Sequence, residues 1–151
     1  MVTMGADAGD RVGLIDARLG RRAETSATPP PDVVAECVAR ALDEDLSPDG
    51  DLTAALLPEG VVVTASMGAR SAGVLAGSDC ATEAFRQVDP DIRVDWRRAD
   101  GDVLAEGEVM ATVSGPLTSV LTAERTALNF VGHLSGIATL VARWVDVAGD
   151  G

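Results

Sequence analysis

Lysine is absent from the 151 residues, so all 12 cationic side chains are arginines. That excludes, within this chain, Schiff-base catalysis, a phosphate-loop lysine and any lysine-borne prosthetic group. Histidine is nearly absent as well. His133 stands alone, which leaves no metal site built on several imidazoles and only one imidazole for any triad. The two cysteines, Cys37 and Cys80, each lie in a helical pattern among apolar neighbours and read as reduced, buried thiols. No apolar run reaches the length of a membrane span and the N-terminus lacks a hydrophobic signal core, so a cytoplasmic protein without membrane attachment is expected. Positive charge is balanced only in the first 31 residues, where four arginines meet four carboxylates. The net charge of −12 therefore falls on residues 32–151, a poor surface for nucleic acid or anionic lipid.

What is present suits one soluble domain with a hydrophobic core, at 46% apolar content. Residues 1–31 read as a flexible tail ending in a run of prolines. A helix follows over Asp32–Leu42, with Val34, Cys37, Val38, Ala41 and Leu42 on one face and the prolines blocking an earlier start. Asp43, Glu44, Asp45, Asp49 and Asp51 then gather around Pro48 and Gly50. A calcium loop would need glycine where Pro48 stands and a final glutamate that is missing, so the cluster reads as an acidic surface turn into Leu52-Thr53.

From Gly60 the period changes to two. Val61, Val63, Ala65 and Met67 form one face of a strand, and a second short strand covers Ala72–Ala76 between glycines. Ser78 or Asp79 caps a helix with Ala81, Ala84, Phe85 and Val88 inward, stopped by Asp89-Pro90. Ile92, Val94 and Trp96 mark a third strand, and Asp100-Gly101 signals a hairpin. Val103–Ala105 and Glu108–Ser114 complete the strands, after which Gly115-Pro116 closes the sheet. Four or five short strands with flanking helices and no internal repeat indicate an α+β fold, with residues 32–116 as its body and 117–148 as a helical segment.

That last segment reads as two helices in line. Leu117, Val120, Leu121, Leu128, Val131 and Leu134 make an apolar stripe, flanked by Ala127 and Phe130. Ser135 and Gly136 offer a restart before Ile137, Leu140, Val141, Trp144 and Val145. Opposite the first stripe lie Thr118, Thr122, Arg125, Thr126, Asn129 and His133, a polar face with neither lysine nor glutamate. Glu124 falls inside the apolar stripe, where a carboxylate needs a donor or a raised pKa. Arg125 is the one long cation among short neighbours, suited to bidentate capture of a carboxylate or phosphate and equally to a surface salt bridge. His133 reads first as an ordinary polar-face residue. The Gly73–Gly77 and Asp100–Gly107 segments lie between strands and match no dinucleotide or phosphate loop.

LTAERTALNFVGHLSGIAT (Leu121–Thr139) closely resembles the signature helix of the quinolinate phosphoribosyltransferases, also called nicotinate-nucleotide pyrophosphorylases (carboxylating). ALDEDLSPDGDLT (Ala41–Thr53) resembles the family's acidic N-terminal segment, Ala72–Gly77 its glycine-bounded strand, and Asp100–Gly115 its Asp-Gly-Asp hairpin. The resemblance implies the family's N-terminal domain, an open β-sandwich or half-barrel flanked by helices. It further implies a homodimer that uses quinolinate, phosphoribosyl pyrophosphate and magnesium to make nicotinate mononucleotide, carbon dioxide and pyrophosphate in de novo NAD synthesis. In it the arginine of the ERT motif, here Arg125, binds a quinolinate carboxylate in the partner's barrel, with Glu124 and His133 in support. The α/β barrel, which carries the family's metal ligands and most phosphate contacts, lies beyond these residues, so residues 1–151 alone are expected to be inactive. A paralogue of the molybdenum-operon type is the nearest alternative. A biotinyl or lipoyl carrier, suggested by the glycine-marked hairpin, would need a lysine that does not exist.

Overall fold

In the computed structural model the described residues are 28–46 and 60–149. The expected tail up to Ala27 and the acidic residues Asp49 and Asp51 lie outside them. The elements run α1 (Pro31–Leu46), β1 (Val62–Gly68), β2 (Gly73–Val74), α2 (Ser78–Val88), β3 (Arg93–Trp96), β4 (Val103–Leu104), β5 (Val109–Pro116) and α3 (Leu117–Ala148). This is the α+β architecture that the sequence indicates. A three-stranded antiparallel sheet has the order β1-β5-β3, and a separate pair joins β2 to β4. Val62 stands opposite Pro116 and Trp96 opposite Ala111, with an irregularity in the β1–β5 ladder between Met67 and Gly68. The core gathers Val34, Val38 and Leu42 of α1, Ala81, Ala84 and Phe85 of α2, Met67, Leu75, Ala111 and Val113 of the strand layer, and Val120, Ala123, Ala127 and Val131 of α3.

Several local expectations are corrected. Helix α1 continues past Leu42 to Leu46, so Asp43, Glu44 and Asp45 are helical rather than part of a turn. The burial of Val34, Val38 and Leu42, every fourth residue, defines a narrow stripe that leaves Cys37 exposed. Cys80 is half-buried, and that burial pushes its thiol pKa up, which keeps it protonated at neutral pH. Strand β5 runs through Gly115 and Pro116, which pair with Val63 and Val62 instead of closing the sheet. A Cβ on Gly115 would sit 2.8 Å from Ile92 Cγ1 and 3.1 Å from Ile92 Cα, so glycine permits the strand to pass that close. The Asp100-Gly101 turn is not a hairpin within one sheet. It joins β3 of one sheet to β4 of the other.

Helix α3 is a single rod of 32 residues. Ser135 does not cap a second helix, because its hydroxyl is engaged by strand backbone. Ala76 N–H donates to Ser135 Oγ at 3.0 Å, and the hydroxyl donates to Ala76 O at 3.2 Å. Gly136 costs about 1 kcal/mol in a helix interior, too little to break a rod held by contacts on either side. The buried stripe is rotated from the expected one: it is Val120, Ala123, Thr126, Ala127 and Val131, while Leu121 and Leu128 are 38% and 39% exposed. Small residues mark the inward line because α3 packs against two helices, α1 and α2, as well as strands. With that rotation Glu124 leaves the apolar stripe and is exposed. The C-terminal half of α3 keeps Ile137, Leu140, Val141, Trp144 and Val145 exposed, with Trp144 at 66%.

The glycine-bounded segment Gly73–Gly77 docks on this rod. Val74 N–H donates to Thr139 Oγ1 at 2.8 Å, and Thr139 Oγ1 donates in turn to Ser135 O at 2.7 Å. A Cβ on Gly73 would meet Thr139 Oγ1 at 2.6 Å, and one on Gly77 would meet Leu134 Cδ1 at 2.8 Å. Gly77 also has φ +95°, and it begins α2 without any side-chain cap from its own neighbourhood. Neither Ser78 nor Asp79 caps α2. The carboxylate of Asp100, 22 and 23 residues away, accepts from Ser78 N–H at 3.1 Å and Gly77 N–H at 2.8 Å. A distant acid thus satisfies two of the free donors of a helix start and places negative charge at the positive end of its dipole.

Asp100→Ala should lower the stability of the folded chain by about 1 kcal/mol, as loss of an N-cap does, with Asp100→Asn recovering part of it. Gly77→Ala combines left-handed backbone with a clash and should cost about 2–4 kcal/mol. Urea denaturation of each variant measures both. Three carboxylates are held below the usual range: Glu83 by Arg86, Asp89 by the Ser119 hydroxyl, and Glu108 by the Ala105 N–H and then Arg98. Depressed folded values mean that their contribution is present above the unfolded pKa and is lost as pH falls through the folded one. The stability gap between wild type and Glu108→Gln should therefore shrink as pH drops below the ordinary glutamate range, measurable in denaturation curves at stepped pH.

Candidate substrate-binding face on the long helix

The first turns of α3 carry the predicted site residues, and their positions follow from which side of the rod is buried. Arg125 is exposed, and among the described residues it has no hydrogen-bond or ion-pair partner. Its nearest neighbours on the chain differ sharply. Glu124 is exposed on the outer side, whereas Thr126 is 1% exposed and is the one polar side chain buried in the core among the described residues. The Thr126 hydroxyl donates to Asp45 Oδ2 at 2.5 Å, joining the last turn of α1 to α3. The sequence pattern puts Thr126 on the open polar face, so its burial is a correction, produced by the same rotation that frees Glu124. Asn129 and His133 are exposed as expected, while Thr118 and Thr122 are half-buried.

A shallow cleft of about 280 Å³ lies between the end of α1 and this part of α3. It is lined by Ala41, Glu44, Asp45, Thr126, Asn129, Phe130 and His133. The structure thus brings His133 together with Asn129 and Thr126, but not with Glu124. Positions 124 and 133 are nine residues apart, about half a turn out of phase at 3.6 residues per turn, so they face opposite sides of the rod. Whatever support these two residues give, they give it to different neighbours.

Arg125 offers a planar fork of donors for a carboxylate or phosphate. The cleft beside it, with Glu44 and Asp45 in its lining, repels anions, so Arg125 is the anion-attracting element of this face. Among the described residues no group of three or more His, Cys, Asp or Glu side chains could hold a metal ion. No helix among the described residues is long and apolar enough to cross a membrane.

Sequence reading missed Asp45 as a partner of α3, because the pattern ends α1 at Leu42. The available signal was Leu46, which continues the four-residue spacing of Val34, Val38 and Leu42. Asp100, Ser135 and Thr139 were missed as docking groups because their partners are backbone atoms 22 to 65 residues away.

The chain is similar in sequence and fold to several known proteins. The sequence profile described as "Quinolinate phosphoribosyl transferase, N-terminal domain" matches residues 51–135. The nicotinate-nucleotide pyrophosphorylase [carboxylating] of Mycobacterium leprae is 44% identical over 118 residues, which is 76% of this chain and 42% of that protein. The chloroplastic enzyme of the same name from Arabidopsis thaliana is 40% identical over 109 residues, covering 72% of this chain and 31% of that one. The structure of the nicotinate-nucleotide pyrophosphorylase from Francisella tularensis superposes with a TM-score of 0.79 at 32% identity, over 85% of this chain and 45% of that one. The chain therefore spans less than half the length of these relatives. The matched profile, the identity to these relatives and the shared fold place the chain in the quinolinate phosphoribosyltransferase family, as that family's N-terminal domain.

Proposed function

We propose that this chain is the N-terminal, substrate-binding and dimer-forming part of a phosphoribosyltransferase that converts quinolinate and phosphoribosyl pyrophosphate into nicotinate mononucleotide, carbon dioxide and pyrophosphate. The observation that carries the reading is Arg125: exposed, without a partner among the described residues, and set in a helix whose first part lies within the matched family profile. Its role is to reach across a homodimer and bind a carboxylate of quinolinate held in the other subunit's barrel, through two parallel N–H···O bonds. Glu124 and His133 lie on opposite sides of that helix and act in support.

Charge supports a division of labour between halves of the enzyme. Two polyanionic substrates need concentrated positive charge, whereas this chain has a net charge of −12 and no lysine. The remaining cations, and the ligands for magnesium, belong to the barrel domain. We assign the protein to de novo NAD synthesis in the cytoplasm, as an enzyme that binds neither nucleic acid nor membrane. Residues 1–151 by themselves should have no activity.

The test is steady-state kinetics of the full-length polypeptide that carries this domain. Arg125→Ala should raise the quinolinate KM by about 10- to 100-fold, the range for losing a charge-assisted pair, and leave the phosphoribosyl pyrophosphate KM within about twofold. Unaltered quinolinate saturation would remove the assignment. Mixing Arg125→Ala with a variant disabled in the barrel should restore activity, since one site of each mixed dimer is then intact. Failure to recover any would count against the shared site.

A further inference from the structure

The hydrogen bond from Thr126 to Asp45 stands out because packing does not require it. Thr126 is almost fully enclosed, and a valine of the same shape would fill its place without a polar atom. Its hydroxyl instead donates to Asp45 Oδ2 at 2.5 Å, across 81 positions of sequence. The apolar neighbours on the same stripe, Ala123 and Ala127, are methyl groups with no directional preference. On the side of the rod that faces α2 and the β2 segment, Ser119, Ser135 and Thr139 make directional bonds, but toward α1 these methyl groups supply none. The hydroxyl-to-carboxylate bond supplies one there, because it is directional and charge-assisted.

We infer that Thr126 and Asp45 form a latch that sets the azimuth and height of α3 and so positions the neighbouring Arg125 for its substrate. The inference rests on the substrate role of Arg125 given above. On a helix each residue turns about 100°, so pinning one position to a second helix fixes the direction in which the adjacent Cα–Cβ bond leaves the rod. Arg125 itself has no contact that would hold it, since among the described residues it has neither an ion pair nor a hydrogen bond. Its aim is set by the backbone beneath it. The same bond also occupies Asp45, whose carboxylate accepts from Thr126 and makes no ion pair with Arg125. The guanidinium is left available to an external anion. Thr126 and Asp45 are thus positioning residues that act through Arg125.

The experiment uses the full-length polypeptide with Thr126→Val, Thr126→Ser, Asp45→Ala, Arg125→Ala and the double variant Arg125→Ala/Thr126→Val. Thr126→Val should raise the quinolinate KM about tenfold, since small misplacements of a binding group cost one to two orders of magnitude. Its kcat should change by less than about threefold, because the group lost contributes through binding. Thr126→Ser, which keeps the hydroxyl, should restore the KM. The double variant should be no worse than Arg125→Ala alone, because the latch has nothing left to aim. If Thr126→Val lowers Tm and leaves KM unchanged, or if its effect adds fully to that of Arg125→Ala, the latch is structural only and the inference is overturned while the role of Arg125 stands. An unchanged KM in Arg125→Ala alone would overturn the underlying assignment and this inference with it. Should Thr126→Val fail to fold, Asp45→Ala judged against Thr126→Ser and the same double-variant comparison with Arg125→Ala decides the question by the same KM criterion.

Discussion

Everything in this domain depends on how closely α3 is approached by the rest of the chain. Two glycines, Gly73 and Gly77, have no room for a side chain where the β2 segment crosses the rod, and two hydroxyls, Ser135 and Thr139, take up the backbone groups exposed by that crossing. The contact is therefore polar at its centre and tight in its sterics. It substitutes for strand pairing on that side of β2, which among the described residues pairs only with β4. Because the N–H of Val74 and both backbone groups of Ala76 are satisfied by side chains of a helix, the segment needs no further neighbour strand at those positions.

The broad architecture was legible because period and punctuation carry it. The switch from helical to alternating patterning at Gly60, the helix from Ser78 stopped by Asp89-Pro90, and the long apolar-periodic run after Pro116 all correspond to observed elements. Rotational detail was not legible. Leu121 and Leu128 outrank Ala123, Ala127 and Thr126 in hydrophobicity, yet the smaller residues are inside. A sequence pattern weighs what a side chain gains by burial, whereas two helices and a sheet packed on one rod select for what can fit. The same limit explains Cys37, which sits beside a buried stripe rather than in it.

The candidate site divides along similar lines. Arg125 could be singled out because chemistry alone makes it odd: one long cation among hydroxyls and an amide. Its surroundings could not, since Asp45 reaches Thr126 only through a tertiary contact between two helices. Ser135 gave the wrong signal for an instructive reason. A serine before a glycine within a helical run reads locally as a restart, but here the hydroxyl satisfies a strand rather than a helix end, and the rod passes through.

The length of α3 has a consequence for its own dynamics. Up to about Thr139 the rod is braced by core side chains and by the β2 segment, whereas beyond it the apolar side chains from Leu140 to Val147 face outward. A helical stretch of that size, whose apolar side chains are not buried by the described residues, gains little from packing and is only marginally stable in water. Amide hydrogens along one uninterrupted helix should then exchange with solvent at graded rates, slowest around Val120–Val131 and fastest toward Ala148. The guanidinium of Arg125 is mounted on the slow-exchanging end, so fraying at the far end need not disturb its aim.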